Sequence, residues 1–250
     1  MSSTVRRPYP EAVLGWMVGD QPVRVLDAGC GDGAFAEMLH ERGHEVFGID
    51  RHLEAVALLP ERLGTRLHVV GQVESLPYLS CYFDVVTATQ SLHRFAPGLA
   101  LTEMARVLKP GGHLAIAYNT RDDTVPWVRR LAALLQQADP DAMKGDYGVD
   151  SVDTVAESPY FVNLERRDFR NWVPITRAGL LAMIERRLAT ARLDQEVRYQ
   201  LLAEVGELYD SSARPPEPLM LPFQASCWRA VVDHASLILE DDREALQIHL

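Results

Sequence analysis

The stretch from Val25 to Gly33, V-L-D-A-G-C-G-D-G, constrains this chain more than any other. An apolar β-type run ends at a carboxylate, Asp27, and passes into a loop holding Gly29, Gly31 and Gly33. Glycine lets backbone approach a ligand closely, and a helix opening after such a loop offers its free N–H groups. A second strand, Glu45-Val-Phe-Gly-Ile-Asp50, again ends in an acid. A carboxylate in that place has enough lone pairs to accept both hydroxyls of a ribose. Strand, glycine loop, helix, strand and acid form a nucleoside-binding βαβ unit, and the fold that houses one is a parallel α/β sheet. The spacing here is G-x-G-x-G, whereas dinucleotide sites carry G-x-G-x-x-G. A nicotinamide-dependent oxidoreductase is therefore the weaker of the enzyme readings.

A chain of 250 residues, 47% hydrophobic, suits one substantial α/β domain with an elaboration. Its formal net charge of -10 repels phosphate backbones, so no nucleic-acid partner is expected. The cysteines Cys30, Cys81 and Cys227 have no CxxC spacing, which fits reduced thiols and neither a disulfide nor a metal site. No apolar stretch reaches bilayer length, and the first residues lack the apolar core of a signal peptide. The expectation is a soluble cytoplasmic monomer or homodimer with no membrane partner.

Strand-like and helix-like segments alternate through the first half. Val23–Asp27, Val46–Ile49, Arg66–Val70, Phe83–Ala88 and His113–Tyr118 read as strands. Phe35, Met38 and Leu39 stand at helical spacing before Gly43, a C′ residue. Leu53 to Leu59 reads as helical. Leu101, Met104 and Leu108 share a helix face, and Pro110 stops that helix in a Lys109–Gly112 turn. In the second half, 124–137, 177–188 and 194–209 read as helices, 161–172 as a sixth strand and 219–232 as the last strand. The stretch 139–159 reads as loop or short helices. The expected organisation is an N-terminal arm over the site (1–20), a core (21–123), a helical and loop insertion (124–160), a core strand (161–176), a helical lid (177–218), and a last strand with its tail (219–250).

The carboxyl ends of parallel strands open onto the ligand crevice, which selects the remaining candidates. In the loop after the third strand, Gly71-Gln-Val-Glu-Ser-Leu-Pro77, the Gln72 side chain and the Val73 N–H suit an adenine edge. After the fourth strand come Thr89, Gln90, His93 and Arg94. The threonines equally suit a strand by β-branching. His93 is either a helix cap or a group facing a substrate. After the fifth strand come Asn119, Arg121 and Trp127, which are loop and cap residues or substrate contacts. Arg6-Arg-Pro-Tyr-Pro10 is either a solvated basic arm or a flap bringing Arg7 near a carboxylate and Tyr9 over the site.

Between Val23 and Asn119 the motifs V-L-D-A-G-C-G-D-G, G-I-D, S-L-P, F-D-V-V and E-M-A-R-V-L-K-P-G-G together resemble class I S-adenosylmethionine-dependent methyltransferases of the type 11 group. R-R-P-Y-P, Q-S-L-H-R-F and Y-N-T-R-D-D-T-V-P-W-V are similar to its small-molecule, trans-aconitate methyltransferase-like branch. The resemblance implies a Rossmann-like doubly wound α/β sheet of seven strands, mostly parallel with an antiparallel last strand, plus helical lid insertions. It implies S-adenosyl-L-methionine as cofactor and S-adenosyl-L-homocysteine as product. The glycine loop, with Gly29, Cys30 and Gly31, would hold the methionine moiety, Asp50 the ribose, and Gln72, Val73 and Glu74 the adenine, with Asp27, Arg51, Thr89 and Gln90 also in the cofactor site. His93 is the candidate catalytic residue, and Arg7, Tyr9, Arg94, Asn119, Arg121 and Trp127 fall on the substrate side; no metal is expected.

Two departures stand out: Gln72 where the group usually carries aspartate, and His93-Arg94-Phe95 where relatives often carry His-Trp-Phe. Arg94 points to an anionic acceptor. The expected activity is methyl transfer to oxygen or nitrogen of a small molecule, a carboxylate included. A carboxylate nucleophile needs no base, whereas a hydroxyl or amine does. The alternative from a different class is a catalytically inactive S-adenosyl-binding regulator or partner protein.

Overall fold

Seven strands form one sheet in the computed structural model, in the order β3-β2-β1-β4-β5-β7-β6. They are β1 (Arg24–Ala28), β2 (Glu45–Asp50), β3 (His68–Val70), β4 (Phe83–Thr89), β5 (Leu108–Arg121), β6 (Phe161–Ile175) and β7 (Leu219–Val232). The structure describes residues 7–57, 59–60, 64, 67–140, 148–186, 193–214 and 216–237. Arg66 of the expected third strand, part of the 53–59 and 177–188 helices, part of the 139–159 stretch and both chain ends lie outside them.

The first five strands pair in parallel, while β7 runs antiparallel to β5 and β6, as the class I methyltransferase resemblance implies. The chain moves outward from β1 to β2 and β3, then returns to lay β4 on β1's other side. That reversal is a topological switch point, where open α/β sheets bind their ligands. Register is specific there: Asp27 stands opposite Gly48 of β2 and Thr87 of β4.

The elements form for the reasons their sequences carry. In β1, Val25 to Ala28 are all buried, as a central parallel strand requires. The helix Ala34–Glu41 buries Phe35, Met38 and Leu39 and ends at Gly43, whose φ of 87° lets its N–H reach His40 O at 2.9 Å. The helix Pro97–Val107 starts with proline at its open end and buries Leu101 and Met104. It stops one residue before the expected Leu108, which opens β5. The expected 109–112 turn is a local irregularity in the β4–β5 pairing, with Gly111 at φ 80° and the register shifting between Phe83 and Val85.

The chain divides into two compact units, 1–118 with 147–169 and 225–250, and 119–146 with 170–224. In the first unit the two faces of the sheet each carry an apolar layer. One contains Leu26, Phe83, Met104 and Tyr118, the other Val13, Phe35, Leu39 and Val85. The second unit packs the helices Pro126–Ala138, Arg177–Glu185 and Gln195–Ser212 around Val128, Leu131, Leu180, Ile184 and Val205. Burying such a side chain contributes about 1.5–3 kcal/mol. Strand β6 runs three residues beyond its expected end at Trp172, to Ile175.

Candidate functional site

The first half of the glycine loop is tied to the end of β2. The N–H groups of Gly29 and Cys30 both donate to Ile49 O, at 2.8 and 3.2 Å. Gly29 has φ 72°, and a Cβ there would lie 2.6 Å from Ser91 Cβ, so no side chain fits. Gly31 has φ 52°, and a Cβ there would meet nothing within 4 Å. Gly29 thus serves packing, while Gly31 leaves bare backbone facing open space. Cys30 is buried, and burial, followed by the Asp27 and Asp50 carboxylates, drives its thiol pKa far up, which makes it an inert spacer.

Two acids flank this loop. Asp27 is fully buried. Its Oδ1 accepts from the Thr87 hydroxyl at 2.9 Å, and its Oδ2 has no partner among the described residues. Burial raises its pKa to about 7, the Thr87 hydrogen bond opposes the rise, and the nearby Asp50 charge adds to it. Asp50 is the opposite case. Burial works to raise it, but the N–H groups of His52 (2.9 Å) and Gly31 (3.0 Å) and the His52 ring (2.9 Å) outweigh burial and hold it below the usual carboxylate range. His52, which sequence reasoning missed, caps the helix Leu53–Val56; its only signal was its place two residues after the strand-end acid.

A cleft of about 190 Å³ opens beside this pair, wholly within the first unit. Its lining brings together Gly29, Asp50, Arg51, Gln72, Val73 and Glu74, along with His52, Gly71, Arg94 and Phe95. The loop after β3 is fastened from behind. Glu74 accepts from the Ala96 N–H at 2.8 Å. Glu103 accepts from the Leu76 N–H at 2.7 Å, and its two oxygens bind the Arg106 guanidinium in a fork. Arg106 in turn donates to Leu76 O (3.0 Å) and Tyr78 O (2.8 Å). The E-M-A-R segment is thus a clamp on the S-L-P loop.

Beyond β4 the chain turns sharply. Gln90 sits at φ 55°, and its N–H donates to Ala117 O at 2.9 Å. Ser91 is buried and donates to Ala28 O at 2.7 Å. Leu92–Arg94 is one turn of 3₁₀ helix. It aims His93 and Arg94 differently. His93 Nδ1 lies 3.2 Å from Tyr118 Oη, whereas Arg94 lines the cleft with Asp50 and Gln72. Arg94 was expected on the substrate side; the structure puts it among the residues expected to hold the cofactor. Burial, then the Arg94 charge, lowers the His93 pKa, so its ring is neutral at pH 7.

Of the arm residues, Tyr9 is buried, donates to Ala117 O at 3.2 Å and meets Phe35 edge-on at 5.6 Å. Burial, then the charges of Cys227 and Asp27, raises its pKa, so it stays a neutral phenol. Arg7 is exposed and pairs with Glu11 and Glu41, the protein's own carboxylates, and does not line the cleft. Thr89 is half-buried at the end of β4. Asn119, Arg121 and Trp127 belong to the second unit. Asn119 accepts from the Asn171 amide at 2.9 Å, and Trp127 is buried in that unit's apolar core. Among the described residues no group of His, Cys, Asp and Glu is placed to hold a metal ion, and no helix is long and apolar enough to cross a membrane.

A mostly parallel seven-stranded sheet with a switch-point cleft and an acid at the end of each of its first two strands is the class I, Rossmann-like methyltransferase fold. Comparison with known proteins agrees. A methyltransferase domain model of the type 11 group matches residues 26–116. An uncharacterized methyltransferase of Mycobacterium tuberculosis is 30% identical over 229 residues, covering 91% of this chain and 90% of that protein. The malonyl-[acyl-carrier protein] O-methyltransferase of Salmonella typhimurium is 32% identical over 115 residues, 45% of each chain. A solved type II methyltransferase candidate from Anaeromyxobacter dehalogenans shares the fold, with TM-score 0.62 and 21% identity over 91% of this chain and 96% of its own. The chain belongs to the methyltransferase type 11 family and is an S-adenosylmethionine-dependent methyltransferase.

Proposed function

We propose that the enzyme methylates an oxygen or nitrogen of a small molecule. The observation that carries this is His93, exposed at the carboxyl end of β4 with a neutral ring, beside Arg94 of the nucleoside-sized cleft. The same reading gives the cleft to the cofactor. Asp27 Oδ2, buried without a partner, suits a cationic amino group. The bare backbone at Gly31, with Gly29 and Cys30 behind it, lets the methionine moiety approach. Asp50 with Arg51 takes the ribose, and Gln72, Val73 and Glu74 take the adenine. Thr89 and Gln90 border the methyl side.

When bound, S-adenosylmethionine supplies a methyl carbon already activated by its sulfonium charge. The protein's task is to align a nucleophile with that carbon and exclude water. Tyr9, buried against Phe35 and hydrogen-bonded to Ala117 O, anchors the arm beside the β5 edge of the sheet and does not line the cleft. The malonyl-carrier relative supports oxygen chemistry, but its match spans only 115 residues and carries no acceptor with it.

The test is incubation of the full chain with S-adenosylmethionine and a panel of phenols, amines and carboxylic acids, reading S-adenosylhomocysteine and methylated product by mass spectrometry. Thermal shift with S-adenosylhomocysteine and with NAD runs alongside, since a ligand of the native state stabilises it by mass action. Stabilisation by S-adenosylhomocysteine but not NAD, with acceptor-dependent product, is the expected result. Binding without turnover on any small acceptor would refute the small-molecule reading.

A further inference from the structure

His93 does not stand alone. Tyr118, at the end of the buried run of β5, receives the His93 backbone N–H at 3.2 Å and faces His93 Nδ1 at 3.2 Å with the same oxygen. Its third neighbour is Ser151 Oγ at 3.0 Å. Ser151 donates its own hydrogen to Gly148 O. All four residues belong to the first unit. Gly148 has φ 97°, and a Cβ there would lie 2.4 Å from His93 Nδ1 and 2.8 Å from Tyr118 Cε1. Only glycine lets the chain close over the imidazole at that point.

The direction of every proton follows from the last member. A carbonyl can only accept, so the Ser151 hydrogen is committed to Gly148, and Ser151 turns lone pairs toward Tyr118. The single phenol hydrogen therefore goes to Ser151. Toward His93, Tyr118 then offers lone pairs only, and Nδ1 must carry a hydrogen to make its contact. Nε2 has no partner among the described residues, and His93 is exposed. We infer that Tyr118 and Ser151 are positioning residues that lock His93 in the Nδ1–H tautomer, so that Nε2 presents a lone pair to the methyl acceptor and selects a proton-bearing nucleophile, a hydroxyl or amine, over a carboxylate. Partial desolvation of the ring and the adjacent Arg94 charge keep it neutral, and burial keeps Tyr118 protonated, which is the state the relay needs.

This rests on the reading of His93 as an acceptor-side group. In the transfer, the acceptor's lone pair forms the new bond to the methyl carbon, and the carbon–sulfur pair remains on sulfur. The O–H or N–H proton passes to Nε2, giving imidazolium, which releases it to solvent. Two carboxylate oxygens would instead confront a lone pair with lone pairs.

The experiment is histidine side-chain ¹⁵N NMR on the full chain without ligand, with the His93 signals assigned by their loss in His93→Gln. The wild type should show Nδ1 protonated and Nε2 bare. Ser151→Ala removes the acceptor of the Tyr118 hydrogen, freeing it to donate to Nδ1, so the proton should move to Nε2. Tyr118→Phe should lose the fixed tautomer and serves if Ser151→Ala misfolds. Both variants should lower kcat on the order of 10²-fold or less while S-adenosylhomocysteine affinity by calorimetry stays at the wild-type value. An Nε2–H tautomer in the wild type, or no change in either variant, overturns the relay. Methylation of carboxylic acids alone overturns the acceptor class. Failure of S-adenosylhomocysteine to bind the wild type would strike the cofactor reading instead, while the NMR signals would still decide the relay.

Discussion

Replacing Asp27 with Asn should make the protein more stable and a poorer binder at once. The unfolded chain ionises this carboxyl near 3.8, and the native protein holds the proton until about 7. Between those values the native state binds more protons than the unfolded one. The stability that this contributes is complete below 3.8 and is lost as pH rises through about 7. At about 1.4 kcal/mol per pKa unit, full ionisation costs up to about 4 kcal/mol. Asn never ionises, but its amide leaves one buried atom unsatisfied in place of Oδ2, so half that figure, about 2 kcal/mol, is the expected gain. In a chain of this length that is a rise of roughly 4–8 °C in Tm. The assay is thermal unfolding of both proteins without ligand from about pH 5 to about pH 8, the midpoint of the Asp27 titration lying between, together with calorimetry with S-adenosylhomocysteine. The gain should be largest at the alkaline end and shrink as pH falls, and affinity should drop about tenfold or more from the lost charge-assisted bond. An Asn variant less stable at the alkaline end, or one binding as tightly as the wild type, refutes the reasoning.

Asp50→Ala removes two charge-assisted ribose bonds worth about 1.5–3 kcal/mol each, partly offset because His52 and Gly31 occupy the carboxylate in the free protein. The expected loss of S-adenosylhomocysteine affinity is at least about tenfold by calorimetry. Gly29→Ala should cost about 2–4 kcal/mol in denaturant unfolding, from a left-handed alanine and its contact with Ser91. Gly31→Ala should cost only about 1 kcal/mol, since its Cβ meets nothing, yet weaken cofactor binding by filling the approach. Arg94→Ala should raise the S-adenosylhomocysteine Kd as well as the KM of an anionic acceptor, because Arg94 lines the cleft; an unchanged Kd would return it to the acceptor side alone.

The sheet was legible because its signals are local. Apolar runs ending in Asp27 and Asp50, glycine at Gly43, and the Leu101 and Met104 helix face each act within a few residues, and each element stands where these place it. What escaped depends on contacts distant in sequence. Thr87 meets Asp27, and Ser151 meets Tyr118, only after strands pair and a short turn folds back, and no periodicity announces either. That Arg94 lines the cleft while His93 turns toward Tyr118 has a geometric reason. Neighbours in a 3₁₀ turn diverge by a third of a revolution, so His93 and Arg94 cannot share a target although they are adjacent in the chain. Leu108 fell off its helix because Pro110 and the Gly111 bend draw the backbone into β5 first.

Neither Glu103 nor Arg106, which clamp the S-L-P loop, lines the cleft, yet both belong to the E-M-A-R segment that carries part of the resemblance to methyltransferases of the type 11 group. Both partners are mostly shielded from solvent and each has several bonds to lose, so either substitution leaves a buried charge stranded. Such a fastening resists drift whatever the enzyme happens to methylate. Kinship read from these letters therefore tracks how the loop is anchored, while the groups that choose an acceptor remain free to diverge, and two chains sharing this signature owe each other no common substrate.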